Sequence, residues 1–422
     1  MARRFVFLVF SLLVLGVPFS SVEAAGFSNR VTNGSFNSGG FQEPLSVPRV
    51  LSRSALIMDV NTGVVLYEKN ADLEIPPASL TKLMTIHLAL KDVAAGRVSL
   101  DDLVDLPRQT WAVNQSPGSS LMFLGPGQRV TLRELILGMA VASGNDAAVA
   151  TALHLAPTVK DFVLRMNAEA QSMGLVKTHF ADPAGISALN STTAREYALF
   201  CQQYLKLHPE ALAQYHSVRE FSYPKPENLP ESYRNRPGTI TQRNRNLLLD
   251  TIEGVDGLKT GFINESGYNI ALTAQRNGTR FLAVLLGGPG SGSAQGGRFR
   301  AQDGENLLTW GFENFKTLKP ELPSLGPVRV YKGDKAELNV VSAESLAKTV
   351  RLDRGTNLRY KIEYPATLIA PIPKGTRVGE LIISDDKGEL ERLTLQANET
   401  VQRGNIFVQI IDSLKLLYHS IF

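Results

Sequence analysis

Val255-Asp-Gly-Leu-Lys-Thr-Gly261, with Tyr268–Gln275 and Arg280–Gly287 behind it, is the stretch whose reading decides the fold. The two later runs are short, apolar and bounded by turn residues, so they read as adjacent β-strands following the Lys-Thr-Gly. Far upstream, Ala55–Asp59 and Val64–Tyr67 flank Asn61-Thr62-Gly63 and read as a β-hairpin. Between these strand regions the patterns are helical. Pro76-Pro77-Ala78 leads into a helix from Ser79 to about Ala94, since proline fits a first helical turn. Thr131-Leu-Arg-Glu134 forms a capping box ahead of Leu135–Ala142. Further helices are expected over Ala147–Ala156, Asp161–Met173 and Thr193–Leu205. Helices clustered between flanking strands predict an α/β domain, a sheet covered by helices.

The composition changes after Trp310-Gly-Phe312. Pro320, Pro323 and Pro327 mark a linker, and short alternating runs such as Val328–Tyr331, Leu358–Tyr364 and Val378–Ile383 predict a small all-β domain. The last residues return to a helical period. Phe407, Ile410, Ile411, Leu414, Leu417, Tyr418 and Ile421 share one face, with Gln409, Asp412, Ser413 and Ser420 opposite. Such a helix is suited to the membrane interface, the alternative being a helix docked on the preceding domain. At the other end, Arg3 and Arg4, an apolar run from Phe5 to Val17 and Val22-Glu23-Ala24 before Ala25 read as a secretory leader. The expected division is therefore a signal peptide (1–24), a disordered Gly/Asn/Ser-rich linker (25–48), an α/β domain (49–318), a β-rich domain (319–403) and an amphipathic membrane-binding helix (404–422).

Composition narrows the function. A single cysteine, Cys201, excludes an internal disulfide, and its apolar helical setting makes it a buried small hydrophobe. The histidines at 87, 154, 179, 208, 216 and 419 form no His-Glu-x-x-His and no Cys/His cluster, so no metal and no cofactor are implied. Gly287-Gly-Pro-Gly-Ser-Gly-Ser-Ala-Gln-Gly-Gly297 lacks the Gly-Lys-Ser/Thr ending of a phosphate loop and reads as a flexible connection. A formal charge of +4 is mild, and no nucleic-acid partner is expected.

Three motifs carry the chemistry: Ser79-Leu-Thr-Lys82, Ser143-Gly-Asn145 and Lys259-Thr-Gly261. A serine hydroxyl is a poor nucleophile until a neighbouring base takes its proton. Ser79 and Lys82 are three apart near a helix start and share a face. Lysine titrates near 10.4, so Lys82 serves as a base only if burial and a second cation favour its neutral form. Lys259 supplies that cation and an anchor for a substrate carboxylate. Ser143 is placed to relay a proton to the leaving group, and Asn145 to bond substrate and Lys82. The backbone N–H of Ser79, near a helix start, suits an oxyanion.

The wording around the motifs adds to this. Pro77-Ala-Ser-Leu-Thr-Lys-Leu-Met-Thr85, Ser143-Gly-Asn-Asp-Ala147, Met166-Asn167 with Thr178-His-Phe180, and Val255–Gly261 with Gly267-Tyr268 resemble the serine-type D-alanyl-D-alanine carboxypeptidases, the low-molecular-mass penicillin-binding proteins. The resemblance covers nearly the whole mature chain. It implies a β-lactamase/transpeptidase-like antiparallel sheet, with Ser79 as acyl nucleophile and Lys82 as its base. Ser143 and Asn145 then take the second-motif roles, and Lys259, Thr260 and Gly261 line the substrate. The second oxyanion N–H falls on Phe262, and Arg245 in Asn244-Arg-Asn246 falls beside the substrate. The implied partners are peptidoglycan stem peptides and β-lactams, and the implied role is in cell-wall biogenesis and cell shape. The implied site is the outer face of the inner membrane. Two rivals are a class A β-lactamase and a non-catalytic penicillin-binding sensor. No Glu-x-x-Leu-Asn-like run lies between Asn145 and Lys259, and the β-rich tail also counts against the first. The intact set of motif residues counts against the second.

Overall fold

The structure is a computed structural model that describes residues 46–421 apart from 236, 237 and 343. The leader reading of residues 1–24 and the linker reading up to residue 45 lie outside the described residues. The expected hairpin is present as β1 (Ser54–Asp59) and β2 (Val65–Lys69). The chain then leaves the sheet through a 3-10 turn, Ala78–Thr81, into α1 (Lys82–Ala94). A two-stranded ribbon, β3 (Leu103–Val104) with β4 (Val130–Thr131), precedes α2 (Leu132–Leu137), whose start carries the Thr131/Glu134 capping box. The helix widens into a π turn, Gly138–Ala142, before α3 (Asn145–Leu155), α4 (Val159–Ser172) and α5 (Ala194–Leu207). A second ribbon, β5 (Glu220–Tyr223) with β6 (Ile240–Arg243), leads back to β7 (Val255–Ile263), β8 (Gly267–Arg276) and β9 (Thr279–Gly288).

The five long strands form one antiparallel sheet in the order β2-β1-β9-β8-β7. The hairpin made first and the strands made last are thus stitched together by β1 against β9, and β7 is left on an edge. Successive side chains point to opposite faces of a sheet. Leu56, Met58, Leu258, Ala271, Leu282, Val284 and Leu286 accordingly join one buried core with residues of α1–α5. The opposite face is covered by α6 (Ser293–Asn314). Its Gly304 backs onto Leu272 and its Gly311 onto Ile57 and Phe281. Each fully buried Leu, Ile or Phe contributes about 1.5–3 kcal/mol by leaving water.

Helix α6 corrects one expectation. Ser293–Gly297, read as part of a flexible connection, is the start of this helix. A Cβ at Gly296 would lie 2.0 Å from the Tyr268 ring, so the glycine here permits close helix–sheet packing rather than flexibility. Two of the motifs lie within regular elements: Asn145 is the first residue of α3, and Lys-Thr-Gly lies well inside β7.

Beyond α6, β10 (Phe315–Leu318) is followed by β11 (Pro327–Tyr331), β12 (Glu337–Ser342), β13 (Lys348–Arg351), β14 (Arg359–Glu363), β15 (Leu368–Ile369), β16 (Arg377–Asp385) and β17 (Gly388–Ala397). Six of these form a sheet in the order β14-β16-β17-β12-β11-β15 around small apolar clusters such as Leu381, Ile383, Leu393 and Leu395. β10 pairs with β13, and Asp59 at the end of β1 accepts hydrogen bonds from Thr317 (2.6 Å) and Thr349 (2.8 Å). The last element is α7 (Ile406–Ile421).

Between α1 and α5 lies a buried histidine cluster. His87 Nδ1 is 2.9 Å from His208 Nε2, and the Tyr204 hydroxyl is 2.7 Å from His216 Nε2. Burial, with smaller electrostatic contributions from His87 and Lys91, lowers His208 to about 4. Burial likewise lowers His216 to about 3. An unfolded chain takes up these protons near 6.5. The folded protein refuses them until far lower pH, so its stability is full above about 6.5 and falls as pH drops toward 3 to 4. Urea midpoints should decline between pH 7 and 5, above most carboxylate titration, and His208→Gln should flatten that slope.

Candidate active site

The 3-10 turn before α1 sets up the first motif. Ala78 is held at φ +53°, a left-handed conformation that a Cβ residue adopts only under constraint. The turn leaves Ser79 half-buried while Lys82, the first residue of α1, is fully buried. Lys82 Nζ lies 2.9 Å from Ser79 Oγ, 2.7 Å from Asn145 Oδ1 and 2.7 Å from the Ala184 carbonyl oxygen. Two of these three partners are obligate acceptors. A neutral amine there spends its two hydrogens on Asn145 and Ala184, and its lone pair faces the Ser79 hydroxyl.

The second and third motifs meet at Ser143. The π turn ends with Ser143 in the left-handed region at φ +60°, which turns its side chain out of the helix path. Lys259 Nζ donates to Ser143 Oγ (2.9 Å) and to the Thr260 carbonyl (3.0 Å). Edge strand β7 runs against the Ser79 turn at Gly261, where a Cβ would lie 2.8 Å from the Pro77 carbonyl oxygen and 3.1 Å from Ser79 N. Only glycine allows this approach, which brings the Ser79 and Phe262 backbones to one side of the site.

Burial dominates the electrostatics. Lys82 is lowered to about 7 by desolvation, with Arg245 adding to the effect and Asp182 and Asp146 opposing it. Lys259 is pushed well below the usual lysine range by burial and by the charges of Lys82, Arg245 and Arg300. The open part of the site is a cleft of about 880 Å³. Ser79, Ser143, Arg245, Thr260, Gly261 and Phe262 line it, whereas Lys82, Asn145 and Lys259 sit behind its wall, at most 6% exposed. The cleft thus presents hydroxyls, backbone and guanidinium groups, and no described carboxylate lines it.

All nine residues singled out in the sequence come together here, and three further contributors were not. Arg300, from the second turn of α6, is 9% exposed, lines the cleft beside Arg245 and is lowered to about 10 by burial. Its guanidinium lies 3.4 Å from the carbonyls of Gly261 and Arg245 and 5.9 Å from the centre of the Tyr268 ring. The Ala184 carbonyl is fixed by Asp182, whose carboxylate accepts from the N–H groups of Ala184, Gly185 and Ser187. The turn Asp182-Pro-Ala-Gly185 is the signal that was available for it. Ser120 lines the far wall from a loop with no distinguishing pattern.

Gly261→Ala tests the close approach. The added methyl must push β7 away from Pro77 and Ser79. Ser79 should then react with a serine-directed acylating reagent on the order of 100-fold more slowly, the scale of losing one oxyanion donor, while the fold is retained.

With this geometry in hand, comparison with known proteins is decisive. The family model described as D-alanyl-D-alanine carboxypeptidase matches residues 42–290, and that for the penicillin-binding protein 5 C-terminal domain matches residues 312–403. D-alanyl-D-alanine carboxypeptidase DacC of Escherichia coli is 34% identical over 390 residues, 90% of this chain and 92% of that protein. Penicillin-binding protein 5 of Haemophilus influenzae superposes with a TM-score of 0.72 at 30% identity, covering 85% of this chain and 100% of that one. Penicillin-binding protein D2 of Listeria monocytogenes, in an ampicillin-bound form, superposes with a TM-score of 0.52 at 29% identity over 62% of this chain and 98% of that one. The identity and coverage leave no doubt about kinship: the chain belongs to the D-alanyl-D-alanine carboxypeptidase family of serine peptidases.

Proposed function

We propose that Ser79 is the nucleophile of a D-alanyl-D-alanine carboxypeptidase reaction on peptidoglycan stem peptides, with Lys82 as its base. The observation that carries the reading is the pairing of a fully buried Lys82 with two carbonyl-type oxygens, which leaves its lone pair for the Ser79 proton. Ser79 Oγ attacks the penultimate D-alanine carbonyl as Lys82 Nζ takes the proton. The oxyanion is received by the N–H groups of Ser79 and Phe262. Ser143, bonded to Lys259, passes its hydroxyl proton to the departing D-alanine nitrogen as the C–N bond breaks and takes up the proton held by Lys82 in its place, which leaves the Lys82 amine neutral again. Lys259, expected from the sequence to anchor the substrate carboxylate, lies behind the cleft wall, so Thr260, Arg245 and Arg300 hold the carboxylate of the leaving residue and Asn145 keeps Lys82 aligned. Water then attacks the acyl-serine as the neutral Lys82 accepts its proton, and Lys82 returns that proton to Ser79 Oγ as the acyl C–O bond breaks. β-Lactams enter the same path and acylate Ser79, in keeping with the ampicillin-bound relative. An acyl-accepting Ser79 aligned on a neutral lysine disfavours the sensor alternative.

The remaining chain serves placement at the cell envelope. Residues 49–318 form the peptidase part, residues 319–403 a β-rich spacer, and α7 an attachment to the membrane surface. The helix is docked by its polar side: Asp412, 8% exposed, accepts from the Lys332 N–H. Phe407, Ile410, Ile411, Leu414, Leu417 and Tyr418 are left 52–73% exposed. A helix that buries its aspartate and presents its apolar face supports lying in a bilayer interface. Among the described residues no single helix is long and apolar enough to cross a membrane.

Ser79→Ala should abolish both D-alanine release from a pentapeptide and covalent labelling by a fluorescent penicillin, and a penicilloyl adduct on another serine would refute the assignment. Lys82→Arg keeps a cation that cannot accept a proton, so acylation should fall roughly 10²–10⁴-fold. In the unaltered protein the acylation rate should decline about tenfold per pH unit below about 7, because protonation of Lys82 removes the base.

Deleting residues 404–422 should release the protein from phospholipid vesicles while pentapeptide turnover is unchanged. Retained vesicle binding would reassign the helix to docking on the protein.

A further inference from the structure

The second motif is followed by an aspartate that the reaction does not use. Asp146 is fully buried, yet the Lys82 amine is not its hydrogen-bond partner. Its carboxylate instead accepts four backbone N–H groups: Met122 (2.8 Å) and Ala147 (2.9 Å) on Oδ1, Phe123 (2.8 Å) and Leu124 (3.0 Å) on Oδ2. Three of these belong to a segment more than twenty residues upstream that has no regular structure of its own and carries Phe123 at φ +73°. The same segment is tied at two neighbouring points. The Asn145 N–H donates to the Ser120 carbonyl (2.8 Å), and Gln242 Nε2 from β6 donates to the Leu121 carbonyl (2.9 Å).

This segment is one wall of the cleft. Gly118 and Ser120 face the opening from it, while Arg245, Thr260, Gly261 and Phe262 form the other wall along the edge of β7. The groups around Ser79 are held otherwise: Lys82 by Asn145 and Ala184, Ser143 by Lys259. A loop strung on a buried carboxylate is held far more tightly than one satisfied by water, since charge-assisted bonds in a dry site are about twice as strong as neutral ones.

We infer that Asp146 is a positioning residue that fixes the cleft wall opposite β7, and thereby the affinity for an extended peptide rather than the reactivity of Ser79. An extended stem peptide must pass between the two walls, whereas a compact acylating agent needs only the Ser79 end. The inference rests on the proposed carboxypeptidase reading, which stands or falls separately with pentapeptide turnover by the unaltered protein.

Asp146→Asn keeps the volume but turns an amide donor toward backbone donors, so part of the clamp is lost. At pH 9, where Lys82 is unprotonated in both proteins, the KM for a D-Ala-D-Ala pentapeptide should rise about tenfold or more, as expected of displaced positioning groups. The acylation rate of a small β-lactam should stay within about threefold. Amide exchange at Met122–Leu124 should accelerate in step with KM. Two outcomes overturn the inference: unchanged KM despite faster exchange, or equal losses in peptide turnover and β-lactam acylation, which indicate general damage. If Asp146→Asn melts below the assay temperature, Gln242→Leu loosens the same wall from outside. It should move KM in the same direction without slowing β-lactam acylation, and an unchanged KM there overturns the inference as well.

Discussion

Everything in this molecule that bears on chemistry depends on keeping two lysine ammonium groups out of water within one small site. Lys82 and Lys259 are 0% and 3% exposed, and their hydrogen-bond partners are neutral oxygens of Ser79, Asn145, Ala184, Ser143 and Thr260. An isolated buried charge is costly, and the usual relief is loss of the proton. The fold therefore does more than shelter these residues. By burying them with no carboxylate hydrogen-bond partner among the described residues, it lowers the proton affinity of both amines.

That burial requires contributions from parts of the chain that are far apart. The helical layer supplies Lys82 and Asn145, the Asp182 turn supplies a carbonyl, and the edge strand β7 supplies Lys259. They are held in register because β1 pairs with β9, from Ser54 opposite Leu286 to Asp59 opposite Phe281, which locks the N-terminal hairpin to the last strands of the sheet. Strand β7 itself has one unpaired edge, and that edge is the cleft wall. Edge strands are a pairing liability in most sheets. Here the edge borders the cleft, whose other lining includes α6 and the Ser120 segment.

The β-rich region follows a different logic. Its strands enclose modest apolar clusters, and its junction to the peptidase part is polar, with Asp59 gathering hydroxyls from Thr317 and Thr349. At its end, α7 inverts the usual arrangement of a surface helix by docking Asp412 and exposing its apolar face. Such a face is stable in water only at low local cost or when something else covers it.

Local chemistry was legible in the sequence because it rests on short-range rules. The Thr131/Glu134 capping box, the hairpin around Asn61-Thr62-Gly63, the strands of the sheet and the period of the terminal helix each depend on neighbours within a few residues, and each formed as read. Serine and lysine three apart likewise announce a shared helical face. Three matters belonged to tertiary structure alone. The glycines at the start of α6 looked flexible until Tyr268, from another element, was seen to fill the space a side chain would take. Arg300 and Ser120 carried no motif, and they enter the cleft only because α6 and an irregular loop are folded against β7 and α3. The base strength of Lys82 depends on desolvation and on oxygens 63 and 102 residues away in sequence, quantities that no local pattern encodes. The sequence by itself determined which groups were available and which elements would carry them. Only packing decided how dry they are and what they touch, because burial is a property of the assembled core and not of any stretch of chain.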